Sequence, residues 1–317
     1  MNSDIGIRQP ILLEPEYRDY VWGGKRLKPP EEPIAEMWAV YEQNRIASGR
    51  MTGKTLGEAA QEFGETLLGS RPVRETGTRF PLLIKLLDCA RWLSVQVHPN
   101  DEQAARLEGP GMFGKTEAWY IIEADPGAKL LAGLKPGLTA EELEEAVRGG
   151  TIVDWMNHHT VKAGDTIFIR PGTVHALGPG LLVYEVQQTS DITYRVYDWN
   201  RPVSEGRKLH IEKSLEVIDP QASGTPKALP NPPGACDRLV TNQYFTLEHF
   251  QIEGKPLALD TQGETFHCLT CIEGTAVLVG DGWEQPMRRF QSVVVPAVMG
   301  VYAIQAKATC QVLKSAA

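Results

Sequence analysis

Residues 180–199 read GLLVYEVQQTSDITYRVYDW: two runs rich in Val, Leu and Tyr, parted by Thr189, Ser190 and Asp191. β-Branched and aromatic residues on either side of turn formers describe strand, turn, strand. The pattern recurs in DTIFIRPGTVHAL (165–177) and QSVVVPAVMGVYAI (291–304), again bounded by Gly, Pro and Asp. Short apolar or alternating runs between turns are the mark of an all-β sandwich or barrel. Helical signals are few. TLGEAAQEFGETLL (55–68) opens with Thr55 and Glu58 at capping-box spacing, and TAEELEEAVRGG (139–150) repeats the device with Thr139 and Glu142 before stopping at Gly149 and Gly150.

A chain of 317 residues has room for about two domains. The stretch DPQASGTPKALPNPPG (219–234) holds five prolines without apolar periodicity and reads as a linker. It separates a first β domain over 1–218, with helical insertions at about 55–68 and 139–157, from a C-terminal β domain over 235–317. The second part echoes the first: AWYIIEADPGAKLLAG resembles CLTCIEGTAVLVG, and GDTIFIRPGTVHAL resembles FQSVVVPAVMGVYAI. In this alignment of a duplicated β unit, Val301 stands where the first copy has His175.

The formal charge of -8, from 32 basic and 40 acidic residues, argues against nucleic acid or an anionic membrane as partner. An anionic ligand then requires a local basic cluster. The opening MNSDIGIRQP lacks the apolar core of a secretory signal, and no uncharged run approaches the ~18 residues of a membrane span. The expectation is a cytoplasmic protein. Five cysteines without framework spacing suit a reducing compartment, and the lone pair Cys268-x-x-Cys271, inside an apolar run, reads as buried thiols.

The chemistry-bearing residues lie near strand ends. In LSVQVHPND (93–101) an extended chain sets Ser94, Gln96 and His98 on one face and Leu93, Val95 and Val97 on the other. In GKTEAWYIIEA (114–124) Glu117 begins an otherwise apolar row with Trp119 and Ile121; a solitary buried acid costs several kcal/mol unless paired or metal-bound. His175 follows the turn Pro171-Gly172-Thr173-Val174. Gln96, His98, Glu117 and His175 together offer two imidazoles, a carboxylate and an amide oxygen, a set suited to zinc. His210, His249 and His267 have no partner at ligand spacing and read as ordinary structural histidines.

The segments FPLLIKLLDCARWLSVQVHPND (80–101), GKTEAWYII (114–122), PGTVHALG (171–178) and SDITYRVYDWNR (190–201), with YVWGG (20–24), resemble the signatures of type I mannose-6-phosphate isomerases in their short bacterial form. The resemblance implies a cupin jelly-roll β-barrel followed by a degenerate cupin-like β domain without metal ligands. It implies one Zn2+ per chain on Gln96, His98, Glu117 and His175, and a sugar site lined by Lys115, Asp191 and Arg195. Lys85, Ser94 and Arg201 fall at family positions associated with the substrate phosphate. The sequence departs from the family turn Pro-Ala-Gly, having Arg170-Pro171-Gly172 before the last ligand.

The implied reaction interconverts mannose 6-phosphate and fructose 6-phosphate through a cis-enediol, in a monomer or homodimer. Lys115 acts as base only when neutral, a state that neighbouring positive charge favours, while Arg195 can stabilise the enediolate without moving a proton. Asp191 either orients Arg195 or assists proton transfer. Other cupin enzymes, such as iron oxygenases, commonly open with His-x-His, against which Gln96 speaks. A non-catalytic sugar-binding or regulatory cupin would have no need of Lys115, Asp191 and Arg195, and an isomerase for a different sugar phosphate is the remaining alternative.

Overall fold

The computed structural model describes residues 7–28, 32–202, 207–230 and 235–317. In chain order the strands are β1 (Ile11–Leu12), β2 (Glu16–Arg18), β3 (Glu36–Val40), β4 (Leu82–Cys89), β5 (Val95–Val97), β6 (Glu117–Ala124) and β7 (Lys129–Leu134). They continue as β8 (Met156–Thr160), β9 (Thr166–Ile169), β10 (His175–Leu177), β11 (Leu181–Gln188), β12 (Tyr194–Tyr197), β13 (Cys236–Thr241) and β14 (Thr246–Ile252). Then come β15 (Leu257–Asp260), β16 (His267–Glu273), β17 (Thr275–Gly280), β18 (Trp283–Arg288), β19 (Ser292–Val295), β20 (Val301–Gln305) and β21 (Cys310–Ala316). The helices are α1 (Leu56–Phe63), α2 (Glu65–Leu68), α3 (Ser70–Thr76), α4 (Asp101–Glu108), α5 (Ala140–Gly149) and α6 (Ile211–Val217). None is long and apolar enough to cross a membrane.

The chain forms two compact units that interleave along the sequence. The first holds the described residues of Met1–Glu16, Met37–Lys85 and Leu229–Ala317; the second holds those of Tyr17–Glu36 and Leu86–Ala228. The division therefore does not follow the sequential split at 218. Segments early in the chain belong with its end because β1 pairs with β19, and Phe80 stacks on Phe266 at 4.7 Å. Nor is the proline-rich stretch a free linker over its described part. Asp219 N donates to Gly172 O at 3.0 Å, and Lys227 and Thr166 exchange backbone bonds at 2.8 Å. Its prolines exclude regular structure rather than packing.

The second unit orders one sheet β9–β6–β11–β4, with β4 entering by its Leu86–Cys89 end, and the other β12–β5–β10–β7–β8. The first unit orders its sheets β19–β16–β21–β14 and β15–β20–β17–β18. Flanking strands aside, four core strands of each sheet follow one order, with β4 to β11 of the second unit matching β14 to β21 of the first. Register sharpens the match: His175 pairs with Gln96 as Val301 pairs with Asp260, and Glu117 pairs with Ile169 as His267 pairs with Val295. In the second copy, Val301 thus replaces His175 and is 68% exposed, and His267 replaces Glu117. The expected closed barrel is instead a pair of open sheets in each unit. Between the sheets of the second unit lies an apolar interior of Trp119, Ile121, Ile167 and Val183 against Leu130, Ala132 and Leu177.

The capping boxes of α1 and α5 form, and α5 contributes Leu143, Ala146 and Val147 to the apolar cluster that also holds Val95 and Val97. β5 is only three residues long, so Leu93 falls outside its alternation and packs in the interior with Trp119 instead of beside Val95. The turn Pro99-Asn100-Asp101 proves to be a third capping box, Asn100 with Gln103, opening α4. Cys268 and Cys271 are buried, and Cys271 Sγ lies 3.8 Å from Cys310 Sγ.

His267 provides a pH test of the first unit. Burial, with the Lys314 ammonium adding to it, pulls this imidazole down to about 3, and Nδ1 meets Tyr302 Oη at 2.7 Å. The folded value lies below the unfolded value of about 6.5, so the unfolded chain takes the proton first. The stabilisation is complete above the unfolded value and is lost as the pH falls toward 3. In urea unfolding at pH 7 and pH 5, wild type is expected to lose more stability than His267→Asn. Equal losses would refute the assignment.

Candidate active site

Register across β12, β5 and β10 sets Arg195 opposite Gln96 and Gln96 opposite His175. Directly opposed residues of an antiparallel sheet project to one face, with strands about 4.8 Å apart. Guanidinium, amide and imidazole therefore form one row. Glu117 opens β6 in the facing sheet, and His98 follows β5 just before the α4 cap. Gly172 N donates to the His98 carbonyl at 2.9 Å, which ties the turn before His175 to the residue carrying the other imidazole. With φ at +81° and a would-be Cβ 2.9 Å from Asp219 Cβ, this position requires glycine. The Arg-Pro-Gly departure keeps the residue that the turn needs.

His98 Nε2 lies 3.6 Å from Glu117 Oε2, and His175 Nε2 lies 3.3 Å from Glu117 Oε1. Each ring donates from Nδ1 to a carbonyl, His98 to Ile192 O at 2.9 Å and His175 to Thr173 O at 2.8 Å. That assigns the bare nitrogen to Nε2 in both, the tautomer of a metal ligand with its outer partner in place. Burial pulls the His175 imidazole down to about 4, with the Lys115 ammonium adding to the shift, so it is neutral at pH 7. His175 Nε2 is buried without a hydrogen-bond donor and faces a carboxylate oxygen, an arrangement of acceptor against acceptor that a cation completes. The three side chains, with ligand atoms within 4.8 Å of one another, are placed to hold a metal ion. Nitrogen and oxygen donors of this kind fit a zinc-type divalent ion.

Lys115 is buried beside this cluster, its Nζ 2.7 Å from Glu117 Oε2, 3.1 Å from His98 Nε2 and 3.9 Å from Glu185 Oε1. Its strand end is braced onto α4: Thr116 N donates to Gln188 Oε1, whose amide donates to Asp101, and Gly114 N donates to the same carboxylate. Glu185, oriented by Trp119 Nε1 at 2.9 Å, was missed in the sequence. The signal was present, because an acid within the apolar run LLVYEV is as conspicuous as Glu117 within its own.

Arg195 is half-buried, and its Nε is a buried donor without a partner among the described residues. Burial, then the neighbouring Arg207 guanidinium, lowers its pKa from the ordinary arginine value. Among the described residues Arg207 Nε is also buried without a partner, while its Nη2 donates to Ser94 Oγ at 3.3 Å and lies 3.6 Å from Asp198 Oδ1. Two adjacent guanidinium groups with open donors, beside a buried hydroxyl, form an anion-binding arrangement. Arg201 is already engaged by the Asp198 carboxylate and the Trp92 carbonyl. Asp191 is exposed and stands one residue before the carbonyl that receives His98. Lys85 lies in the first unit, buried, with Nζ 5.0 Å from the Trp38 ring centroid. Arg207 carries no signal in EGRKLH that separates it from a surface arginine.

Paired open β-sheets with two imidazoles and a carboxylate gathered at strand ends define a cupin-type site. Residues 11–117 match the catalytic domain of type I phosphomannose isomerase, and residues 236–315 match the cupin domain of mannose-6-phosphate isomerase. The mannose-6-phosphate isomerase of Streptococcus mutans is 38% identical over 78% of this chain and 80% of its own length. Mannose-6-phosphate isomerase ManA of Bacillus subtilis is 33% identical over 95% of this chain and 98% of its own. A crystal structure of the mannose 6-phosphate isomerase from Bacillus subtilis superposes with a TM-score of 0.84 at 31% identity, covering 96% of this chain and 99% of that one. The chain belongs to the type I phosphomannose isomerase family.

Proposed function

We propose that this chain interconverts mannose 6-phosphate and fructose 6-phosphate, using a zinc ion held by Gln96, His98, Glu117 and His175. The observation that carries the reading is the buried His98, Glu117 and His175 cluster with the Lys115 ammonium 2.7 Å from its carboxylate. When bound, the ion supplies Lewis acidity toward the sugar oxygens at C1 and C2. The chain's own side chains supply the rest. Lys115 carries the proton from C2 of the aldose to C1, while the hydroxyl proton at O2 passes to O1 by way of the cis-enediol. Arg195, permanently charged and in the same row as Gln96 and His175, offsets the negative charge that develops on the enediolate. Free thiols at Cys89, Cys236, Cys268, Cys271 and Cys310 suit a cytoplasmic setting.

Ser94 and Arg207 hold the phosphate in this reading, and Arg201 braces Asp198 behind them. Arg207→Ala is expected to raise KM for mannose 6-phosphate about 10- to 100-fold with a smaller change in kcat, the range of a lost charge-assisted hydrogen bond. An unchanged KM, together with unchanged inhibition by inorganic phosphate, would remove Arg207 from the phosphate site. The reaction itself is tested by a coupled assay with and without chelator, alongside elemental analysis. Turnover that vanishes with chelator and returns with zinc supports the reading. No turnover in folded, metal-loaded protein sinks it, and turnover of another sugar phosphate alone corrects the substrate.

A further inference from the structure

Among the described residues β12 is the edge strand of its sheet, so backbone groups that turn away from β5 have no described strand to receive them. At Arg195 both are taken by a single residue. His210 N donates to the Arg195 carbonyl at 2.8 Å, and the Arg195 N–H donates to His210 Nδ1 at 3.2 Å. Because these groups face outward, the pairing of Arg195 with Gln96 is the non-hydrogen-bonded kind, in which opposed side chains stand closest. His210 therefore takes the place of a missing strand at the position that sets Arg195 beside Gln96. It does so from the start of α6, whose Ser214 N–H donates to the His210 carbonyl at 2.8 Å.

We propose that His210 is a positioning residue for Arg195: its neutral imidazole holds the edge of β12 through the Nδ1 lone pair, and protonation of the ring releases it. The proposal rests on the reading of Arg195 as the residue that stabilises the enediolate. An imidazolium carries N–H at both nitrogens, so on protonation Nδ1 turns from an acceptor into a donor facing a donor. The charged and titratable groups around the ring are Arg195 on β12, Lys208 before the helix, Lys213 on α6, Glu108 on α4 and the Tyr194 ring with centroids 6.1 Å apart. Burial, followed by the cations Arg195, Lys208 and Lys213, lowers the His210 pKa below its ordinary value, and Glu108 opposes this. The ring is thus an acceptor at pH 7 and becomes a donor on acidification.

Asparagine is the decisive substitution, since its Oδ1 sits where histidine has Nδ1, accepts the same bond and does not titrate. His210→Ala is expected to lower kcat about tenfold with KM and metal content near wild type, while His210→Asn stays within about twofold and loses the acid limb of the kcat profile. Hydrogen exchange gives a second readout that needs no turnover. The protection factor of the Arg195 amide is expected to fall on acidification in wild type and to stay level in His210→Asn. An acid limb and protection profile unchanged in His210→Asn, or wild-type kcat and protection in His210→Ala, would overturn the proposal. If wild type isomerises no sugar phosphate, the proposed function fails, while the exchange profile still decides whether His210 latches the strand.

Discussion

Glu117→Gln is expected to leave a folded protein that neither retains metal nor turns over substrate. Among the three clustered ligands Glu117 brings the only formal negative charge, and its two oxygens face His98 and His175 from 3.6 and 3.3 Å. The amide keeps the volume but loses that charge, and it sets a donating NH2 where one oxygen stood. It also leaves the buried Lys115 ammonium without the carboxylate now 2.7 Å away. Breaking one side of a buried pair costs about 3–5 kcal/mol, so the thermal midpoint should fall as well. Turnover is expected to drop by at least a factor on the order of 10³, the range seen when preorganised electrostatic stabilisation is removed. The check is elemental analysis after gel filtration, the coupled assay, and thermal unfolding with and without chelator. Chelator should lower the wild-type midpoint by removing a ligand that binds only the folded state, and should leave the variant unmoved. A variant with wild-type metal content would show that Glu117 is not a ligand.

The paired sheets, the two main capping boxes and the site cluster were legible because each has a local signature. Period-two runs between turn formers mark strands, Thr-x-x-Glu marks a helix start, and an acid or imidazole in an apolar row marks a buried polar group that needs a partner. The duplication was legible only faintly, as strand, turn and strand; the shared strand order is a property of pairing between distant segments, which residue identity hardly constrains. The interleaving of the units was not legible for the same reason, since β1 joins β19 across almost the whole chain. Arg207 and His210 carry no local signature because their contacts come from a segment that returns to β5 and β12. Arg207 reaches Ser94 from 113 residues away, and no spacing rule connects them. Arg201 was singled out by its place in a motif, but its guanidinium is occupied by Asp198 and the Trp92 carbonyl.

Lys115→Met separates the proton-transfer step from the metal. The ammonium sits 2.7 Å from Glu117 Oε2 and 3.1 Å from His98 Nε2, on the lone pairs that a divalent ion needs. Ion and ammonium compete for the same electrons, so an entering cation must displace the lysine from them. Methionine keeps most of the length of the side chain and removes the competitor. Metal is therefore expected to stay at least as tightly bound as in wild type, while kcat falls by about 10²- to 10⁴-fold, the usual contribution of a general base. Glu185→Gln, which touches Lys115 only at 3.9 Å and keeps a partner for Trp119 Nε1, should cost less than either of the other two changes. The contrast is what makes the pair of variants informative: Glu117→Gln loses metal and turnover together, Lys115→Met loses turnover alone. Retention of most of the turnover by metal-loaded Lys115→Met would move the base to another group, and loss of its metal would mean that the lysine organises the ligands instead of competing with the ion.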